Sequence, residues 1–260
     1  YLQRINNEIL EMQVAHPLTH FAIIFSFLIH DVDHTGVTNA QLVKEGKRIA
    51  AVYNNKSVAE QNSTDLAWSV LMDSEHKDLQ AAIYGSQEEL ERFRHLVVNS
   101  VMATDLFDEE LMADRNKRWL ETFSEEHRGH SLTADQALDL KATIVMEHVM
   151  MAADINHTMQ DFHSYKRWNE RLFFEMCNAY ENGRLGTEPS SNWYEQELQF
   201  CNQVVIPLAT KLKDCGVFGI AVDNALACAQ ANRQQWDVKD AVVVAELKRS
   251  YVDQKKGGNI

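Results

Sequence analysis

The sequence predicts an all-α fold, and three observations support that class. Ten glycines and three prolines in 260 residues are few, whereas turn-rich β architectures use both residues freely. No segment alternates polar and apolar residues as a half-buried strand does. Several segments instead space their apolar residues three and four apart, as helices with one buried face do. No linker-like stretch divides the chain, so we predict a single compact multi-helix domain across residues 1–260.

The N-terminal part is expected to form two helices. Residues 1–15 carry an approximate helical stripe of apolar side chains, which Pro17 interrupts. Thr19 can cap the next helix, predicted from about His20 to His30. That helix is apolar on nearly all faces, which predicts a buried position.

The middle of the chain contains two similar helix-start patterns. After a helix predicted over Ala40–Ala51, Ser57–Glu60 fits a capping box, in which a serine caps the helix and a glutamate follows three residues later. Ser86–Glu89 fits the same pattern, and its helix is expected to extend to Asp105. Residues 108–130 are highly charged, which predicts a solvated surface element.

The second half of the chain is predicted to be a series of longer helices. One begins near Leu132 and delivers Asp154 at its end. The others are expected over Phe162–Tyr180, Trp193–Leu212 and Val217–Gln235, with a further C-terminal helix and a frayed tail over 237–260.

Charge and composition exclude some classes of partner. The formal net charge is −13, which disfavours nonspecific nucleic-acid binding and attachment to an acidic membrane face. No apolar run is long enough to span a bilayer, and no signal peptide is visible. The four cysteines form no paired motif, which predicts free thiols in a reducing, cytoplasmic setting. Because the first residue is Tyr1, we expect a fragment of a longer parent with other domains, whose membrane tethering stays open.

The segment HDVDH, residues 30–34, is the first candidate functional site. It follows a run of apolar residues and places two imidazoles and two carboxylates within five positions. On a continuous helix, His30 and His34 would share a face, with Asp31 beside it. These side chains suit a divalent ion bound through nitrogen and oxygen. The alternative is that the polar residues cap a buried helix and solvate its end.

Asp154 is the candidate partner for His30 and Asp31. It ends an otherwise apolar helix, where an isolated charge is costly unless a cation meets it. A salt bridge or a capping role would also satisfy it. If all three side chains bind one ion, two helices supply three ligands, and positions stay open for water and substrate. Such a centre is suited to in-line attack on phosphorus.

The sequence resembles the class I 3′,5′-cyclic nucleotide phosphodiesterases. HDVDHTGVTN matches the pattern HDxxHxGxxN of that family, and further matches follow in family order between about residues 16 and 236. They are Tyr53–Glu60 (YNxxSVxE), Ala103–Leu106 (ATDL), Ala153–Ile155 (ADI), Tyr165–Leu172 (YxxW with RL), Phe200 with Pro207-Leu208, and Asn232–Trp236 (NRxxW).

The resemblance implies an HD-type all-α catalytic domain and two divalent metals. His30, Asp31 and Asp154 would hold the tighter ion, expected to be Zn²⁺. Asp31 would bridge to a second ion, expected to be Mg²⁺ or Mn²⁺ and held largely by waters. His34 would lie beside the phosphate and the bridging hydroxide.

The resemblance assigns the remaining site residues to water and to the nucleotide. Glu60 and Thr104 would orient the metal-bound waters. Leu172 and Phe200 would sandwich the base, and Glu197 would contact its edge.

Two departures from the family pattern concern the metal site. The family has an HNxxH element, with the general acid and another metal-binding histidine, before the position where this chain begins. His16 and His20 are expected to be structural, so the chain alone should bind the first metal weakly and hydrolyse slowly or not at all. The two histidines that follow the family's glutamate are Asn62 and Ser63 here, which should weaken the second site.

A third departure concerns the base. Where the family has a glutamine, this chain has Glu197, with Gln196 beside it. An ionised glutamate only accepts hydrogen bonds, which suits the N–H donors of guanine better than the N1 lone pair of adenine. Glu197 therefore favours cyclic GMP, unless Gln196 takes its place.

Three functions remain in view. The leading one is metal-dependent hydrolysis of cyclic AMP, cyclic GMP or both to 5′-monophosphates. A different HD-type phosphohydrolase is a second, although the Tyr53–Glu60, Phe200 and Asn232–Trp236 matches count against it. A degenerate domain that senses cyclic nucleotide or docks onto a partner is the third, favoured by the changes at Asn62, Ser63 and Glu197.

Overall fold

The structure, a computed structural model, describes residues 17–123, 133–216 and 219–257, and every regular element in them is helical. This confirms the all-α prediction. The α-helices are α1 (Pro17–Ile29), α2 (Asn39–Lys44), α3 (Arg48–Val52), α4 (Val58–Leu71), α5 (Lys77–Ile83), α6 (Gln87–Met102), α7 (Glu109–Phe123), α8 (Ala134–Asp154), α9 (Phe162–Glu181), α10 (Trp193–Phe200), α11 (Ile206–Asp214) and α12 (Ile220–Lys256).

Short helices of other types connect some of these elements. Single 3₁₀ turns cover Ser74–His76, Asn156–Met159 and Pro189–Ser191, and a π-helical turn over Cys201–Val205 joins α10 to α11. None of the described helices combines the length and the apolar character needed to cross a membrane.

The described chain falls into two compact units. The first holds residues 17–35, 42–123, 133–154 and 215–216, and the second holds 36–41, 155–214 and 219–257. The single domain expected from the sequence therefore stays a prediction.

The core of the first unit forms where α1 packs against α6. Phe93 of α6 is fully buried, and its ring centroid lies 5.8 Å from that of Phe21 and 5.7 Å from that of Phe25. Leu71 of α4 and Met146 of α8 complete this core. Burying aromatic side chains of this size is a main source of folding free energy, and here it holds α1 against α6.

The core of the second unit is aromatic and is organised by α12. Trp236, in the middle of this 37-residue helix, is 1% exposed and packs edge-on against Tyr165 of α9. Trp193 of α10 stands edge-on to Phe173, with ring centroids 5.0 Å apart. These contacts hold α9, α10 and α12 together.

One predicted helix start is wrong, one is right in position but lacks its capping bond, and one is confirmed in full. α1 begins at Pro17, so Thr19 lies inside the helix and is buried, and does not cap it. Ser57 adopts a left-handed backbone (φ 39°) and makes no capping bond. Ser86 does cap α6, because its Oγ accepts from Glu89 N at 3.2 Å while the Glu89 carboxylate accepts from Gly85 N.

Several predicted helix boundaries also differ. The helix expected over Ala40–Ala51 is broken between α2 and α3 at Gly46, which has φ +64°. The helix expected to end at Gln235 continues to Lys256, so the described part of 237–260 is not a separate helix.

The charged segment over 108–130 is less solvated than predicted. Within α7, the part of it that the structure describes, Arg115 and Trp119 are buried. The Arg115 guanidinium donates to the carbonyls of Met102 and Asp105, which supplies the partners that a buried charge needs.

Candidate metal centre

The turn after α1 carries the first candidate ligands. Helix α1 ends at Ile29, and the chain continues through two consecutive turns, closed by Val32 N donating to Ile29 O and by His34 N donating to Asp31 O, each at 3.0 Å. Asp33 has φ 64°, which no right-handed helix accommodates. The expectation that His30 and His34 share a helical face is therefore wrong, because the helix stops before both.

One hydrogen bond sets the orientation of the His30 imidazole. Its Nδ1 lies 3.0 Å from the carbonyl oxygen of Phe27 on the last turn of α1. A carbonyl only accepts, so Nδ1 carries the proton and Nε2 is the nitrogen presented to a ligand. This arrangement of ring and backbone is common among metal-binding histidines.

The His30 imidazole meets two carboxylates on its Nε2 side. Nε2 lies 3.4 Å from Asp31 Oδ2 and 3.4 Å from Asp154 Oδ1. Asp154 is the last residue of α8, so the end of one helix faces the turn after another. One ligand atom from each of the three residues lies within 4.8 Å of the other two.

The electrostatics of this cluster favour a cation. The hydrogen bond that His30 donates to the Asp154 carboxylate and the charge of Asp31 raise the pKa of His30 to about 9, against the opposing effect of burial. The carboxylates therefore stabilise positive charge at Nε2, which a proton or a divalent ion can supply. One imidazole nitrogen and two carboxylate oxygens form a donor set known for Zn²⁺, and the carboxylates also suit Mn²⁺ and Mg²⁺. The residues present therefore fit a divalent ion.

Three further predicted residues belong to the same unit as the cluster. His34 closes the turn that begins at Asp31 and is exposed. Glu60 lies in the first turn of α4. Thr104 follows the end of α6, and its hydroxyl donates to Val101 O at 2.8 Å. Their roles toward water and phosphate stay predictions.

The residues expected to bind the base belong to the second unit. Leu172 of α9 is 41% exposed, and Phe200 is the last residue of α10 and partly buried. Glu197 is 8% exposed and lies one turn before Phe200. Their roles in base binding likewise stay predictions.

Glu197 is part of a buried polar network. The Tyr165 hydroxyl donates to its carboxylate, and Trp236 Nε1 donates to the Tyr165 oxygen at 2.6 Å. Nearby, Trp193 Nε1 donates to Asn169 Oδ1 at 3.1 Å. Burial raises the pKa of Glu197, although hydrogen bonds from Tyr165 and Asn169 oppose the shift. The cyclic GMP hypothesis assumed an ionised, accept-only glutamate, and burial works against that state.

The sequence analysis missed that Asn62 and Ser63 contact the metal-site turn. Asn62 Nδ2 donates to Asp33 Oδ2 at 3.1 Å, and Ser63 Oγ lies 2.8 Å from Val32 O. Both positions were expected only to weaken the site by lacking histidine. Asn and Ser are common hydrogen-bonding residues, and their positions one turn inside a helix carry no signal of which loop they contact.

The fold and the cluster define an all-α protein with a candidate divalent-metal centre at the ends of two helices. The family model described as 3′5′-cyclic nucleotide phosphodiesterase matches residues 4–217. The chain belongs to this family.

Individual relatives and solved structures agree with the family model. The chain is 26% identical over 237 residues, 86% of its length, to the probable 3′,5′-cyclic phosphodiesterase pde-3 of Caenorhabditis elegans, and covers 33% of that protein. It is 29% identical to the human dual specificity calcium/calmodulin-dependent 3′,5′-cyclic nucleotide phosphodiesterase 1C over 77% of its length, and covers 28% of that protein. The chain thus spans a third or less of these relatives.

The fold is also that of a solved phosphodiesterase domain. The phosphodiesterase domain of the RhoPDE fusion protein from the choanoflagellate Salpingoeca rosetta superposes with a TM-score of 0.67 at 24% identity, covering 90% of this chain and 71% of that one. At this identity the likeness concerns the fold alone.

Proposed function

We propose that this chain is the metal-binding part of an enzyme that hydrolyses 3′,5′-cyclic nucleotides to 5′-monophosphates. Water adds to phosphorus, the bond from phosphorus to the 3′ oxygen breaks, and the 3′ oxygen leaves as a hydroxyl. The observation that carries the proposal is the cluster of His30, Asp31 and Asp154, with ligand atoms within 4.8 Å of one another in a chain of the phosphodiesterase family.

His30, Asp31 and Asp154 would hold the tighter ion, for which we propose Zn²⁺, with Asp31 also facing a Mg²⁺ or Mn²⁺ ion. When bound, such ions polarise phosphoryl oxygens and lower the pKa of water. The contact from Phe27 O to His30 Nδ1 keeps Nε2 available for one of them.

The other residues would position water and substrate. His34, one residue past Asp33 on the exposed turn, would donate to the phosphate. Glu60 and Thr104 would hold waters. Leu172 and Phe200 would pack on the two faces of the base, and Glu197 would contact its edge.

The proposed nucleotide preference differs from the one favoured by the sequence. A neutral Glu197 carboxyl has one donor and one acceptor, as an amide has. Burial works against the ionised, accept-only form of Glu197 that favoured cyclic GMP, so we propose activity on both cyclic AMP and cyclic GMP. The chain's relatives include one named for 3′,5′-cyclic-AMP and one named for dual specificity.

The setting proposed for the protein is the cytoplasm. All four cysteines lie in the described part of the chain and none forms a disulfide there; Cys177, Cys201 and Cys215 are buried, as in proteins of reducing compartments. Covering only part of its relatives, the chain is proposed to work within a longer protein that contributes other domains.

The test combines a binding and a turnover measurement on this chain and on the longest available parent. Zn²⁺ and Mn²⁺ binding is measured first, by competition with a chromophoric chelator. Hydrolysis of both cyclic nucleotides is then followed by chromatography, which separates 5′- from 3′-monophosphate. We expect 5′-monophosphate from the parent, and none when Asp154→Asn is introduced.

Two outcomes would overturn the proposal. If the metal-loaded parent binds cyclic nucleotide without turnover, the protein is a sensor. If it releases phosphate only from other nucleotides, it is a different phosphohydrolase.

A further inference from the structure

Two neighbouring side chains of α4 contact the turn that presents Asp31. Asn62 Nδ2 donates to Asp33 Oδ2 at 3.1 Å. Ser63 Oγ lies 2.8 Å from Val32 O and 3.0 Å from Ala59 O, so its one hydroxyl proton is shared between the turn and its own helix. Ser63 is 1% exposed. We call these two residues the Asn–Ser pair.

Both contacts reach the two central residues of a single β-turn, Ser63 at the backbone carbonyl of Val32 and Asn62 at the side chain of Asp33. The turn runs from Asp31 to His34 and is closed by His34 N donating to Asp31 O. Its central residues are Val32 and Asp33, and Asp33 has φ 64°. A positive φ at the third position is the feature that defines type II turns, in which glycine or asparagine is usual. Aspartate adopts left-handed backbone more readily than most side chains when its carboxylate is held by a hydrogen bond, as Asn62 holds it here.

The Asn–Ser pair supports this turn. Ser63 engages the carbonyl of Val32, on one side of the central peptide, and Asn62 engages the side chain of Asp33, on the other. Flipping that peptide would turn Val32 O away from Ser63 and break this contact. The turn begins at Asp31, a candidate metal ligand, and ends at His34, so its conformation sets the direction of both side chains.

We infer that Asn62 and Ser63 are positioning residues that hold the Asp31–His34 turn in its metal-binding conformation. The pair stands where the resemblance leads one to expect two histidines, so hydrogen bonds to the backbone and side chain of the turn take the place of imidazoles there. This inference rests on the metal centre of the proposed function.

The surroundings of Asn62 allow a sharp rescue experiment. Asn62 and Asp33 line a cavity of about 210 Å³ whose floor includes Leu42 and Val58. The cavity leaves room for a side chain larger than asparagine. An imidazole at position 62 keeps an N–H that can donate to Asp33, whereas alanine offers none.

The test measures metal affinity without substrate. Zn²⁺ affinity is determined by chelator competition for the wild-type chain, Asn62→Ala, Ser63→Ala and Asn62→His. We expect about 10-fold weaker binding in Asn62→Ala and up to about 100-fold in Ser63→Ala, the range found when residues that orient metal ligands are changed. Asn62→His should bind at least as tightly as wild type.

A second measurement separates positioning from a general loss of stability. Amide hydrogen exchange of the metal-free chain should accelerate at residues 31–34 in both alanine variants, while α6 keeps its wild-type protection. Ser69→Ala is the matched control, because Ser69 lies on the same helix and bonds only to Leu66 O within it. It should change neither affinity nor exchange.

The outcomes distinguish this inference from the proposed function. Wild-type metal affinity in Asn62→Ala and Ser63→Ala would overturn the inference, whatever the parent hydrolyses. Weakened affinity in both variants, with exchange accelerated at 31–34, supports it even if no cyclic nucleotide is turned over.

Discussion

His30 shows how one backbone contact can prepare a side chain for a metal. Its Nδ1 lies against Phe27 O, and its Nε2 lies 3.4 Å from each of two carboxylates. The contact with Phe27 O fixes the orientation of the ring before any ion arrives. Because the pKa of His30 is raised to about 9, a divalent ion takes the place of the Nε2 proton.

Removing this imidazole should abolish tight metal binding. In His30→Ala, the two remaining carboxylates offer oxygen alone, and we expect Zn²⁺ affinity to fall by about 100-fold or more. Chelator competition measures the change. His95→Ala is the control, because His95 is exposed on α6 and its Nε2 lies 2.9 Å from Asn99 Nδ2 on the same helix. Equal affinity in His30→Ala and His95→Ala would contradict the assignment.

Glu197 predicts a pH-dependent difference in stability. Burial raises its pKa in the folded state above the ordinary value of 4.5, so the folded protein holds this proton more tightly than the unfolded chain. The stability that comes from this bound proton is fully present below about pH 4.5, and it is lost as the pH rises through the folded-state pKa of Glu197. Glu197→Gln has no proton to lose and should gain stability relative to wild type between pH 5 and pH 8.

Urea unfolding of both proteins at the two pH values measures this effect. Tyr165 faces Glu197, but burial raises the pKa of its hydroxyl well above 10, so it does not titrate in this range. A stability difference between the two proteins that is the same at pH 5 and pH 8 would show that Glu197 keeps an ordinary pKa.

At the residue scale, the sequence predicted the members of the metal cluster but not their support. His30, Asp31 and Asp154 stood out because charged side chains followed apolar runs. Asn62, Ser63 and the φ of Asp33 carried no such signal, because their roles depend on contacts between segments far apart in the chain.

Helix starts show where local patterns suffice and where they fail. Ser57–Glu60 and Ser86–Glu89 have the same capping-box pattern, yet only Ser86 forms the bond. Ser86 is exposed, so its local preference decides its conformation. Ser57 is 2% exposed with φ 39°, because packing around it determines the backbone. The capping rule therefore held where tertiary contacts did not compete with it.

Helix α12 holds the 3₁₀ turn over Asn156–Met159 through one buried amide. Asn232 Nδ2 donates to Thr158 O at 3.0 Å and to Gln160 O at 2.8 Å, and Asn232 is 2% exposed. Asn232→Ala should lower the free energy of unfolding by about 2–3 kcal/mol, because two carbonyls lose their donor in a buried place. Denaturant unfolding measures the loss.

Asn224→Ala is the matched control for that change. Asn224 lies on the same helix and is exposed, so its loss should alter stability by less than about 0.5 kcal/mol. If the two variants are equally stable, the buried amide contributes nothing beyond helix propensity.

At the scale of the whole molecule, all three candidate ligands belong to one of the two compact units. A ligand that binds only the folded state stabilises it by about 2.7 kcal/mol at 100 times its Kd. We therefore expect Zn²⁺ to slow amide exchange in α1 and α8, which carry or adjoin the ligands, and to leave α12 unchanged.

Hydrogen exchange with mass spectrometry tests this prediction in the presence and absence of Zn²⁺. Asp154→Asn should show no protection at the same metal concentration. Equal slowing in α8 and α12 would mean that the whole described chain opens as one cooperative unit.

The sequence predicted the fold class and the family, but not the length of every element. Few glycines and prolines and the helical spacing of apolar residues were enough for the all-α fold. The sequence predicts a helix that ends at Gln235, whereas the 37-residue α12 runs on to Lys256, with Trp236 buried among aromatic side chains. Long-range packing of this kind is invisible to local periodicity.

The π-helical turn over Cys201–Val205 affects whether the chain can lose a residue at this point. Trp193, Glu197, Cys201 and Val205 are buried at intervals of four residues, and in an α-helix each such step drifts by about 40° around the axis. The wider turn reverses part of that drift and returns Val205 to the core. A one-residue deletion here would convert the turn into ordinary α-helix, so this segment should tolerate a deletion that α12 would not.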